Sequence, residues 1–312
     1  TPLDDGVVSG ICGSAVVGKQ RVVALWSGYG EVVKVRLRDG GHVVVKYVQP
    51  PRLGAGDVSH ARKVRSYEVE TAFYLRYASR LEAASCRAAR FVGYRVQETS
   101  RVMVLEDLDA AGFDGRRETL RSAREVEPLV RWLAKFHRTF LGTTRCDDLW
   151  EQGCYWHLAT RLDELARMRR SDPLFAHAEE LDRRLRTAHY TTLVHGDAKI
   201  ANFCFAPDGQ VASVDFQYVG KGVGVRDLAY LLGSCLSERD MVRFNDQLLD
   251  LYFAALDAQS PDLEAEWRAL WPICFADFER FLAGWQPGHW KRNGYTRAMV
   301  DTALATLRSS LR

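Results

Sequence analysis

The sequence predicts an α+β chain in two lobes, a small β-rich one followed by a larger, mainly helical one. Three observations carry that expectation. The 312 residues are about twice the length of a typical domain. The first hundred fall into short β-branched runs broken by turn signals. From Ser122 onward apolar residues recur at helical spacing. The expected division is 1–107 and 108–312.

Composition narrows the class. At 47% hydrophobic and 27% charged, with a net charge of +3, the chain can bury one large core or two smaller ones. No run approaches the ~20 apolar residues of a membrane span, and there is no low-complexity tract or fixed-period repeat. Of the 43 basic residues 35 are Arg and 8 are Lys. They are spread along the chain against 40 acids, not gathered in the patch a nucleic-acid partner needs. Arginine excess reads as compositional bias, which makes each lysine worth following. Seven scattered cysteines, an odd number with no C-x-x-C, argue against a disulfide framework or structural zinc and for a reduced, cytoplasmic setting. The start at Thr1 without a signal-peptide pattern reads as a trimmed N-terminus.

In the first lobe, strands are expected at Arg21 to Leu25, Val32 to Leu37 and His42 to Val48, with turns at Ser27-Gly28-Tyr29-Gly30 and Asp39-Gly40-Gly41. A polar stretch from Pro50 to Ser59 leads to a helix over about 61–78, then strands near 91–96 and 101–105. In the second lobe Ser122 and Glu125 form a capping box, and Val126, Leu129, Val130, Leu133, Phe136 and Phe140 follow on one helical face. Further helices are expected near 155–170, 175–188 and from Arg226 to Leu311, with strands at Thr191 to Val194 and Val211 to Val214.

Those two strands bracket His195-Gly196-Asp197-Ala198-Lys199-Ile200-Ala201-Asn202, followed by Asp215-Phe216-Gln217. An acid five residues before an Asn, then a second acid after a hairpin, suits metal-dependent phosphoryl transfer. Mg²⁺ takes one or two protein oxygens and completes its shell with phosphates and water. Asp197 can accept the proton of an attacking hydroxyl, while Asn202 and Asp215 hold Mg²⁺ against the phosphates of ATP.

With Gly224-Val225-Arg226-Asp227-Leu228-Ala229-Tyr230 added, the sequence resembles the aminoglycoside phosphotransferase and choline-kinase group of kinase-like enzymes over about residues 20 to 235. Within it the likeness is to the ecdysteroid-kinase-like branch, with Gln217 where protein kinases have glycine. The resemblance implies a bilobal protein-kinase-like fold and ATP-dependent phosphorylation of a small-molecule hydroxyl. A nucleotide-binding module without turnover is the alternative.

Such an enzyme needs a strand lysine for the nucleotide phosphates and a helix acid to hold it. Lys46 alone among the lysines sits in a convincing apolar strand. Glu68 and Glu70 lie about 200° apart around the following helix, so only one can face it. Glu70, followed by Phe73-Tyr74, matches the family pattern better. Gly28 and Gly30 stand where a loop would cover the phosphates, and Glu106 to Leu108 where the family has a hinge whose backbone meets the adenine. Lys199 is placed to contact the γ-phosphate. Asp227 is expected to brace the 195–197 turn, His195 to be a structural brace, and His137 to pack at its helix end.

Only eleven residues separate Asp215 from Asp227, and Gly196 stands where regulated protein kinases have Arg. Both point to a small acceptor. Its pocket is expected among Trp150, Tyr155, Trp156, Trp267, Trp271, Asp277, Phe278, Trp285, His289 and Trp290, though helix packing explains many of them equally well. Asp277 is the expected polar contact, with Trp271 and Trp285 beside it. Aromatic rings near an acid could hold a substrate ammonium. The acidic turn Asp147-Asp148 with Glu151 reads as solvated.

Overall fold

The computed structural model describes residues 3–25, 28–51, 58–97 and 99–309. Ser27, residues 52–57 of the polar stretch and Leu311 lie outside them. The chain divides into two units: Thr1–Ala83, Arg87–Arg116 and Cys204–Val214 form one; Ala84–Cys86, Arg117–Phe203 and Asp215–Arg312 form the other. The first unit therefore runs past 107 and takes in a segment from later in the chain. Backbone pairing explains this. Gly115 and Phe205 exchange hydrogen bonds at 2.9 and 3.0 Å, and Ser213 donates its N–H to Arg87 O at 3.1 Å.

The first unit opens with α1 (Asp5–Cys12), then β1 (Val16–Ala24), β2 (Gly30–Leu37), β3 (His42–Val48), α2 (Val58–Arg76), α3 (Ser79–Ala83), β4 (Phe91–Gln97) and β5 (Ser100–Glu106). The strands make one antiparallel sheet in the order β1-β2-β3-β5-β4. Helix α1 is not visible in the sequence pattern, since its glycines and valines are weak helix formers. It is held instead by Asp4, whose carboxylate accepts from Gly6 N at 2.8 Å, and by docking Val8 on the sheet. Alternate residues Val43, Val45 and Tyr47 of β3 join Val33, Val35, Leu37, Val102 and Val104 in that core. Each such side chain contributes about 1.5–3 kcal/mol on burial. By strand alternation, Val44, Lys46 and Val48 face the other way. Val48 there packs with Tyr67 of α2, so the strand pattern itself aims Lys46 at that helix.

The second unit contains α4 (Ala123–Thr139), α5 (Leu162–Arg167), α6 (Pro173–Ala176), α7 (Ala178–Arg186) and β6 (Thr192–Val194). The hairpin β7 (Phe203–Phe205) and β8 (Val211–Ser213) follows, mostly within the first unit. Then come β9 (Gly220–Gly222), α8 (Gly224–Cys235), α9 (Glu238–Leu256), α10 (Pro261–Trp285) and α11 (Gly294–Ser309). Ser122 caps α4 by accepting from Glu125 N at 3.3 Å, and Val126, Leu129, Val130, Leu133, Phe136 and Phe140 are all buried. The helix expected near 155–170 does not begin at 155: residues 153–157 are irregular. Their backbone donors go elsewhere: Gly153 N to Lys221 O, Cys154 N to Tyr218 O, Tyr155 N to Gly196 O. That segment is a strap over the turn that carries Asp197.

Candidate active site

In the second unit a single buried carboxylate shapes the turn after β6. Asp227, in the first turn of α8, accepts from His195 N at 2.5 Å and Gly196 N at 3.0 Å. His137 Nε2 lies 3.0 Å from the same carboxylate, and its Nδ1 lies 2.7 Å from the Tyr252 hydroxyl. His137 thus bonds across to α8 and α9 in addition to packing at its helix end. Gly196 sits at φ 81°, and a Cβ there would fall 2.1 Å from Tyr218 O. Only glycine fits, which excludes the Arg of regulated protein kinases.

The turn presents Asp197, whose residue is 5% exposed. Its Oδ2 meets Lys199 Nζ at 3.0 Å and accepts from Asn202 Nδ2 at 3.1 Å; the same amide reaches Asp197 O at 2.7 Å. Its Oδ1 has no hydrogen-bond partner among the described residues. Burial raises the Asp197 carboxyl above its ordinary value; Lys199 pulls it down and Asp215 pushes it up. Burial would lower the Lys199 ammonium, but Asp197 and Asp215 outweigh it and raise it. Asp215 has a left-handed φ of 70°, a conformation sparse for residues other than glycine. The following Phe216 is buried against His195, 4.8 Å between ring centres, and against Phe136 at 6.2 Å. His195 also accepts from Asp197 N at 3.3 Å, so it braces the turn from within the core.

Asn202 and Asp215 supply oxygen donors near Asp197. No cluster of three or more His, Cys, Asp or Glu is gathered among the described residues, so there is no all-protein cage. A two-donor site is what Mg²⁺ accepts when phosphates complete its shell. The donor set fits that ion.

In the first unit Lys46 Nζ lies 2.6 Å from Glu70 Oε2, both buried. Glu68 instead pairs with Arg101 at 2.8 Å. Gly28 lies between β1 and β2 and Gly30 opens β2; Gly30 at φ 134° passes so close to β3 that a Cβ would sit 2.0 Å from Tyr47 O. Between them Tyr29 is buried, with its hydroxyl 2.6 Å from His60 Nδ1. Glu106 pairs with Arg87 at 2.7 Å and Arg90 at 3.4 Å, and Leu108 is buried. The side chains of this segment are thus committed, leaving backbone as its means of meeting a ligand.

The expected substrate residues separate. Asp277 is 0% exposed, with Arg226 at 2.5 Å and Arg280 at 3.0 Å. It belongs to a buried ion cluster and not to a pocket wall. Trp271 packs on Phe275 in the core, while Trp285 is half exposed and stacks on Phe281. Trp156 and Phe278 do line a cavity, together with Tyr230 of the Arg226–Tyr230 motif and Lys291. Lys291 was not singled out from the sequence; lysine scarcity was the signal that could have found it.

A glycine turn carrying a buried aspartate, with a lysine and an asparagine on one of its oxygens and a second aspartate nearby, defines a kinase-like phosphotransferase. The first unit's antiparallel sheet with its Lys–Glu pair is of the same class. The chain belongs to the APH phosphotransferase enzyme family, whose model matches residues 21–285. Among solved structures it is similar to the amicoumacin kinase hAmiN in complex with AMP-PNP, Ca²⁺ and amicoumacin, with 14% identity, 98% of this chain and 93% of that one covered, and a TM-score of 0.63. It is also similar to spectinomycin phosphotransferase APH(9)-Ia with ADP and spectinomycin (9% identity, 99% and 95% covered, TM-score 0.60). A microcompartment-associated aminopropanol kinase is a third (14% identity, 98% of each chain covered, TM-score 0.56). At these identities the likeness is one of fold. No curated protein matches the sequence. No helix among the described residues is long and apolar enough to cross a membrane.

Proposed function

We propose that this phosphotransferase moves the γ-phosphoryl group of ATP, with Mg²⁺, to a hydroxyl of a small molecule. The observation that carries the reading is the asymmetric Asp197 carboxylate: one oxygen held by Lys199 and Asn202, the other without a partner. A hydroxyl at Oδ1 gives its proton to Asp197 as its oxygen forms the new bond to phosphorus and the bond to the ADP oxygen breaks. Lys199 would steady charge on the transferred group. Asn202 and Asp215 would hold Mg²⁺, which supplies neutralisation of the phosphate charge when bound. In the first unit, Lys46 held by Glu70 would meet the nucleotide phosphates. Gly28 and Gly30 would cover them, and the backbone of Glu106 to Leu108 would meet the adenine.

The short path from Asp215 to Asp227 supports a small acceptor, since it is spent on β9 and leaves no platform for a peptide. Gln217 supports the ecdysteroid-kinase-like branch. The seven cysteines are all free thiols, which supports a cytoplasmic setting. ADP release should require both Mg²⁺ and an acceptor and should be lost in Asp197→Asn. Nucleotide binding without turnover under any acceptor would favour the silent-module alternative.

A further inference from the structure

The cavity beside Asp197 is aromatic, and the cation lying on its rings is the protein's own. Its wall includes Trp156, Arg226, Tyr230, Phe278, Lys291 and Thr296 but no Asp or Glu. Arg226 is paired with Asp277 at 2.5 Å but shares that single carboxylate with Arg280, so the buried cluster keeps a net positive charge. Lys291 has no such partner. Its ammonium lies 4.5 Å from the centre of the Tyr230 ring, 5.5 Å from Phe278 and 5.6 Å from Trp290. Among the described residues it makes no ion pair, whereas Lys19, Lys34, Lys46 and Lys199 each meet a carboxylate.

The surrounding loop holds Lys291 in place without neutralising it. Glu279 of α10 gives one oxygen to Arg292 at 2.8 Å and the other to Thr296 at 2.5 Å. Ring faces attract an ammonium, but by less than the burial of an unpaired charge costs. The shortfall is visible: burial pulls Lys291 down to about 8, against the opposing charge of Asp197. Tyr230 and Lys291 both feel the Asp197 charge, so this cavity lies beside the base.

We propose that the acceptor is an anion, a hydroxyl compound whose carboxylate or phosphate group is received by Lys291 while its hydroxyl meets Asp197 Oδ1. The inference rests on the phosphotransfer reading and sharpens it. An aromatic box would otherwise suit an ammonium substrate, but here that position is filled by Lys291, which repels one.

Two measurements on the full chain test it. Limited acetylation at pH 8, read by mass spectrometry of the Lys291 peptide against exposed Lys135, follows the lysine without any turnover. Mandelate, an aromatic hydroxy acid, should slow acetylation of Lys291 about fivefold at a few times its Kd, while neutral mandelamide should not. Glycerol 3-phosphate is the phosphate arm; protection by either anion supports the site and tells which group it takes. No protection by either, or equal protection by mandelamide, overturns it. In turnover, Lys291→Met should raise KM for anionic acceptors about 10- to 100-fold with kcat much less affected, the range of a lost charge-assisted hydrogen bond, and Lys291→Arg should restore most of it. Turnover that prefers cationic or neutral alcohols would strike the anion site and leave the transferase reading standing. Protection with no turnover on any acceptor would strike the transferase reading instead.

Discussion

Asp197 and Asp277 are both buried aspartates of the second unit, and their surroundings push them in opposite directions. Burial alone would raise both. At Asp277 the charges of Arg280 and Arg226 overcome it and hold the carboxyl below its ordinary value. At Asp197 the single Lys199 does not suffice, Asp215 adds repulsion, and the carboxyl is raised. On the proposed reading, the two sites separate a structural acid from a reactive one. Asp277 meets a guanidinium on each oxygen, whereas Asp197 keeps one oxygen without a partner. The first arrangement ties α8 to α10; the second leaves basicity to be used.

The largest effect expected from breaking this contrast is on turnover. Asp197→Asn keeps the shape but removes the proposed base, and kcat measured by ADP release should fall about 10²- to 10⁴-fold. Its melting temperature should hold or rise, because a raised carboxyl costs stability at neutral pH. A wild-type rate in this variant would remove Asp197 from the mechanism.

Asp277→Asn should do the converse. It leaves two buried guanidinium groups facing a neutral amide, a loss of about 3–5 kcal/mol that thermal or urea unfolding would register. The pH dependence has a defined sign. A carboxyl lowered in the folded state contributes stability above the unfolded value, ~3.8, and loses it as pH falls through the lower folded value. The stability gap between wild type and Asp277→Asn should therefore be full at pH 7 and shrink below about pH 4. A gap independent of pH would mean that Asp277 acts by packing alone.

Gly196→Ala comes next. At φ 81° with Tyr218 O and Cys154 N in the way, any Cβ must shift the strap or the turn. A cost of about 1–3 kcal/mol is expected, with a fall in kcat larger than any change in nucleotide KM. Unchanged kcat would show that the turn tolerates more than the Asp227 bonds suggest.

What the sequence made legible and what it hid follow the same division. Asp197, Lys199 and Asn202 lie within one turn, so spacing alone placed them on a common carboxylate. Lys46 and Glu70 were legible through strand alternation and helix phase, which decide the direction a side chain takes. Asp277 was misplaced because one of its two partners, Arg226, is 51 residues away. The nearer signal, Arg280 one helical turn on, marks an internal pair. Lys291 stayed hidden for a related reason: its significance is the absence of an acid partner, and only packing reveals an absence. The part of the strap from 155 on read as helix because its aromatics fit either period, and the strap's backbone bonds to Tyr218, Lys221 and Gly196 are all non-local.

The smallest expected effect comes from Tyr155→Phe, and it asks whether Asp197 acts alone. The Tyr155 hydroxyl lies 3.2 Å from that of Tyr230, and Tyr230 feels the Asp197 charge. Burial raises both phenols, with Asp197 adding to it, so each keeps its proton and neither can replace Asp197 as base. The ring of Tyr155 packs on Trp156 at 5.0 Å and Phe281 at 5.5 Å, contacts that phenylalanine preserves. One neutral hydrogen bond is lost, worth about 0.5–1.5 kcal/mol, so a change of roughly two- to tenfold is expected, mainly in acceptor KM. A collapse of kcat comparable with that of Asp197→Asn would show that the proton leaves through the tyrosine pair, and the unpartnered oxygen of Asp197 would no longer be the centre of the site.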